Sequence, residues 1–185
     1  MLTPDQEKWI NQLSDQELVV IQPYDPTSPG KFESVKCKIQ AVLGSEAKVV
    51  HRGATGLRIS GQNEIDAYVP VPSEQFDTLI PVLTAAFGNP RKVFPNDRAR
   101  FAIYEEGKRV DVFLINQNCP GWINGIKFEN YLRTHPKILE QYRILKETGH
   151  GLTMKEYYRR KTAFFNEIVA MADQEIGSED VGKGE

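Results

Sequence analysis

The segment Arg109-Val110-Asp111-Val112-Phe113-Leu114-Ile115 constrains this chain more than any other. Its β-branched and aromatic residues read as a strand, and a strand apolar on both faces is normally covered on both sides. A carboxylate sits in the middle of it. Left unpaired, a buried carboxylate costs several kcal/mol by order of magnitude. Asp111 therefore needs a cation, a hydrogen-bond network or a cleft.

The elements around that strand follow from pattern. Thr3-Pro4 followed by Gln6 reads as a helix start. Glu17 to Gln22 reads as a strand ended by Pro23. Phe32, Val35, Ile39, Val42 and Leu43 recur at helical spacing, with Gly44 where such a helix stops. Lys48 to His51 reads as a strand entering the glycine-bearing loop RGATGLRISGQ, and Glu64 to Val71 as another. Ser73 is placed to cap a helix carrying Phe76, Leu79, Ile80, Leu83 and Phe87. Ala99 to Glu105 and Arg109 to Asn116 read as two antiparallel strands joined at Glu106-Gly107. Helices are expected over Trp122 to Arg133, over Pro136 to Lys146, and from the capping box at Thr153 onward.

The expected fold is α/β (α+β), a mixed, mostly antiparallel sheet flanked by helices and followed by a helical C-terminal part. One domain is expected over residues 1–176, with an α/β part at 1–118 and helices at 119–176. Residues 177–185, rich in Gly, Glu and Lys, read as a disordered tail. At 185 residues the chain is long enough to bury a core. A formal charge of -2 argues against a general nucleic-acid coating role, while leaving a local basic groove compatible. Cys37 and Cys119 belong to no metal-binding pattern. The amino terminus is polar and no apolar run approaches a membrane span, so no membrane role and a cytoplasmic setting are expected.

Alternate residues of a strand share a face, so Glu64 and Asp66 project side by side. If Asp111 comes alongside them, three carboxylates repel one another in a semi-buried site. A divalent cation resolves that conflict, and hard oxygen ligands favour Mg²⁺ or Mn²⁺ over zinc. The plainer alternatives are a solvated Glu64, an arginine partner for Asp66, and an ion pair between Asp111 and Arg100 or Arg109.

Gly53-Ala54, the loop after it, Glu64-Ile65-Asp66 and the later Asp111 together resemble the nucleotidyltransferase superfamily. There a Gly-Ser turn precedes an acidic-x-acidic strand and a third acid follows. Gln22-Pro23-Tyr24-Asp25-Pro26 and Phe128-Glu129-Asn130-Tyr131-Leu132-Arg133-Thr134-His135-Pro136 resemble the GrpB family more narrowly. The resemblance covers roughly Val19 to Ala172. It implies a nucleotidyltransferase-like sheet and a metal-dependent transfer of a nucleotidyl group from a nucleoside triphosphate to an unassigned acceptor. Glu64, Asp66 and Asp111 would be the catalytic and metal-holding acids. The alternative is a non-catalytic metal-nucleotide-binding module, or an interaction protein, on the same fold.

Two departures from the family pattern stand out. Ala54 occupies the position where the superfamily turn usually has Ser. Thr55 to Asn63 replaces the Val-Pro-Gly-Leu and Lys-Pro stretch usual before the acidic strand. Backbone N–H groups around Gly53, Ala54 and Gly56 remain available to an anion. Arg58, Arg98 and Arg100 are candidate phosphate holders because guanidinium offers a charged, forked donor set. His51 reads first as a structural histidine, and Tyr131, His135 and Tyr142 as core aromatics.

Overall fold

The computed structural model describes residues 1–181, with side chains through Glu175. The chain divides into two compact units, one of residues 22–123 and one of residues 1–21 with 124–185. The divide falls inside the helix α5, Pro120–Thr134.

The first unit is built on a five-stranded mixed sheet. Its strands are β1 (Val50–Arg52), β2 (Glu64–Val71), β3 (Lys92–Phe94), β4 (Arg98–Glu105) and β5 (Lys108–Asn116), in the order β1-β2-β5-β4-β3. Only β2 and β5 run parallel, with Glu64 opposite Arg109 and Asp66 opposite Asp111. The remaining pairs are antiparallel. The β4–β5 turn puts Glu106 and Gly107 at φ 47 and 77°, the left-handed pair that a tight hairpin twist requires.

Strand alternation sorts the two faces. Ile65, Ala67, Val69, Val71, Ala99, Phe101, Val110, Val112 and Leu114 point to one side and form a core with Phe32, Val35 and Ile39 of α2 (Ser28–Leu43) and with Phe76 and Leu83 of α4 (Ser73–Phe87). These apolar residues are almost fully removed from water, which is the main stabilisation of the unit. The other side carries Arg52, Glu64, Asp66, Tyr68, Arg98, Arg100, Asp111 and Phe113.

Several expectations need correction. Glu17 to Gln22 forms no sheet strand. It is an extended segment with single bridges at Leu18 to Thr153 and Gln22 to Gly61, since its two ends pair with different neighbours. The segment after β1 is a single helical turn, α3 (Gly53–Gly56), where a loop is expected. The N-cap of α4 is Pro72, without a side-chain cap, and Ser73 is its first residue. The three-residue β3, lying between Pro90 and Pro95, is too short to give a periodic signal.

The second unit is helical among its described residues: α1 (Pro4–Ile10), most of α5, α6 (Pro136–Glu147) and α7 (Met154–Val181). Thr3 and Gln6 form a capping box at α1, and the Thr153 hydroxyl accepts from the Glu156 N–H at α7. Phe128, Tyr142, Phe164 and Phe165 pack edge-on and stacked, and Tyr131 stacks on His135 at 3.9 Å. Phe128, Tyr131 and Tyr142 are buried core, while His135, read as core from the sequence, is half-buried and lies 3.1 Å from Glu175. Helix α7 continues through residues 177–181, where a disordered tail is expected; residues 182–185 of that tail lie outside the described residues. No helix among the described residues is long and apolar enough to cross a membrane.

Candidate metal and nucleotide site

Parallel pairing of β2 with β5 sets Asp66 directly beside Asp111. Glu64 is one pleat away on the same face, so all three carboxylates converge. An oxygen from each lies within 4.8 Å of the others. Asp111 is buried, while Glu64 and Asp66 are half-buried.

Two arginines reach this cluster. The Arg100 Nη2 donates to Asp111 Oδ2 at 2.6 Å, and Arg109 Nη2 donates to the same oxygen at 3.2 Å. Arg109 also reaches Glu64 at 3.7 Å. Burial works against the Arg100 charge, yet the hydrogen bond to Asp111 and the fields of Asp111, Glu64 and Asp66 together raise its pKa above the ordinary value. The Nε atoms of Arg100 and Arg109 are buried without a hydrogen-bond partner.

The glycine turn is fitted to the acids. Gly53 has φ 72°, and a Cβ there would overlap Asp66 Oδ2. Only glycine permits both the backbone conformation and the approach. Ala54 follows within α3. A side chain at Gly56 would press on the His51 carbonyl. The Thr55 hydroxyl donates to the Glu64 carbonyl at 3.1 Å and lies 3.0 Å from His51 Nε2, tying the turn to the start of β2. His51 also stacks on Phe32 at 4.4 Å, which accords with a structural histidine.

Of the candidate phosphate holders, Arg100 is at the cluster. Arg58 is exposed at the end of the turn, with φ 59°. Arg98 lies farther along the same sheet face, its guanidinium 4.5 Å from the centre of the Phe94 ring. Arg52, buried and opposite Asp66 in the register, lays its guanidinium 5.0 Å from the Tyr68 and Trp122 rings. Sequence reading treats Arg109 only as an ion-pair alternative for Asp111. Its bridge to both Glu64 and Asp111 depends on the parallel register, which no local signal carries.

The fold is similar to that of the conserved protein GrpB from Enterococcus faecalis, known as a crystal structure. The TM-score is 0.62 at 22% identity, over 85% of this chain and 99% of that one. The model of the GrpB protein family matches residues 18–171, so this chain belongs to the GrpB family. None of the curated proteins matches it.

Proposed function

We propose that this GrpB-family chain belongs to the nucleotidyltransferase superfamily and is a metal-dependent nucleotidyltransferase that uses a nucleoside triphosphate. The observation that carries the reading is the convergence of Glu64, Asp66 and Asp111 beside a glycine turn that only glycine can make. Three carboxylate oxygens within 4.8 Å form a hard donor set suited to Mg²⁺ or Mn²⁺. When bound there, a divalent cation would activate the attacking hydroxyl and stabilise charge on the leaving pyrophosphate.

The chain's own groups have definable tasks. Glu64, Asp66 and Asp111 would hold the cation. The N–H groups of the Gly53-Ala54 turn would orient the phosphates. Arg100 and Arg109 satisfy Asp111, and each side chain keeps about a third of its exposure, which suits an anionic substrate.

The second reading is a metal-nucleotide-binding module without catalysis. Ala54, which supplies no hydroxyl to a phosphate, favours it. Mg²⁺-dependent release of pyrophosphate from the four nucleoside triphosphates, with candidate acceptors present, separates the two. Release that is lost in Asp66→Asn and Asp111→Asn supports transfer. Nucleotide binding without release under any acceptor supports the module.

A further inference from the structure

The β3–β4 margin of the sheet carries a cationic and aromatic strip that the acid cluster does not use. Lys92 pairs in register with Arg100, and Phe94 with Arg98. Since Arg100 stands opposite Phe113, and Ala102 opposite Asp111, all of these side chains share the face that bears the acids. Two cations approach the Phe94 ring, with Lys92 Nζ 4.7 Å and the Arg98 guanidinium 4.5 Å from its centre. Lys92 is exposed, and the Arg98 side chain retains 40% of its accessibility. The acid beside Arg98, Asp97, reaches it at 3.4 Å.

We infer that this strip binds a single-stranded nucleic acid, whose end is the acceptor of the transfer reaction proposed above. The inference rests on that reading only for the word acceptor; the binding itself is independent of it. Two cations on one sheet face, Lys92 and Arg98, match the charge of a phosphate chain. A half-buried ring beside them offers a surface on which a base can stack. Lys92 lies two strands from Asp111 and two residues along, about 12 Å away at ordinary strand spacing and rise. The strip therefore extends away from the acids across the sheet, as a strand leading its end toward them requires. The overall charge of -2 does not oppose this, because net charge does not fix where the cations lie.

Fluorescence anisotropy of the full chain with labelled ten-nucleotide RNA and DNA, in EDTA and at several salt concentrations, tests it. Heparin and polyglutamate serve as polyanions without bases. Wild type should bind an oligonucleotide, and Lys92→Gln with Arg98→Gln should weaken binding about tenfold or more. The slope of log K against log salt should fall by about 1.4 in that double variant. Phe94→Leu should weaken oligonucleotide binding about fivefold or more while leaving heparin binding unchanged. Lys92→Glu, at an exposed position, supplies the charge test if the others unfold. No oligonucleotide binding by wild type would overturn the proposal. So would equal response of heparin and oligonucleotide to every variant, or a preference for polyglutamate. Pyrophosphate release is scored separately, so oligonucleotide binding without it would sink the transferase reading and leave the strip in place.

Discussion

The sheet unit holds its acids in two ways. Asp25 accepts from the Lys108 ammonium at 2.7 Å, and the same ammonium donates to the Ser28 hydroxyl at 2.8 Å. Glu105 accepts from Lys38 at 2.5 Å and from Ser34 at 2.6 Å. In both places one carboxylate accepts from one ammonium and one hydroxyl, that of Thr27 at Asp25 and that of Ser34 at Glu105. These are local, closed arrangements, and each keeps its carboxyl below the ordinary pKa, chiefly through the lysine hydrogen bond. At the other side of the sheet, three carboxylates crowd together; Arg100 and Arg109 both reach Asp111, and Arg109 also reaches Glu64. The first kind fastens elements to one another, Asp25 holding the entry of α2 to β5. The second gathers three carboxylates on one face, and the proposed cation site rests on that difference.

The comparison breaks most easily at Lys108. Its side chain is 3% exposed, so Asp25→Asn leaves a buried charge short of its anion. The Tm should fall by about 8 °C at pH 7. The folded pKa of Asp25 is depressed, so its stabilisation is present above the unfolded value near ~4 and is lost as pH falls through the lower folded value. The gap between wild type and variant should therefore close as melts are repeated below about pH 4. A gap of constant size would remove Asp25 from the fastening group.

Gly53→Ala sits between the two regions in its effect. A left-handed backbone and an overlap with Asp66 should cost about 1–3 kcal/mol. The same change should abolish Mn²⁺ binding, read by paramagnetic broadening, because Asp66 must move. Retained binding would show that the turn does not set the position of the acid. The smallest expected effect is that of Asp111→Asn on the metal-free protein. One negative charge is withdrawn from a crowded cluster, and Arg100 and Arg109 keep about a third of their exposure where Lys108 keeps 3%, so the Tm should change by about 2 °C or less. A loss as large as that of Asp25→Asn would place Asp111 among the fastening acids.

Strand β2 was legible from its alternation, and its bounds Glu64–Val71 match the expectation. So were α2, ended at Gly44, and the helices begun at Pro136 and after Thr153, because caps and prolines are local signals. Glu64 and Asp66 side by side needed only a period of two. The approach of Asp111 needed the parallel pairing of β2 with β5, and here the chemistry of an acid in an apolar strand supplied what periodicity could not. The short β3 and the α3 turn were hidden, since neither is long enough to show a repeat. The roles of Asp25 and Lys108, 83 residues apart, were hidden for a different reason. They depend on tertiary approach between segments whose own patterns say nothing of each other.

The central claim is that Glu64, Asp66 and Asp111 hold a divalent cation together with nucleotide. Anomalous scattering from crystals soaked in Mn²⁺ and a non-hydrolysable nucleoside triphosphate tests it most directly. The account predicts one or two Mn²⁺ peaks about 2.0–2.3 Å from oxygens of these carboxylates, with Arg100 turned from Asp111 toward phosphate. Nucleotide bound elsewhere, or no peak at the acids with the Arg100–Asp111 pair still closed, would contradict it.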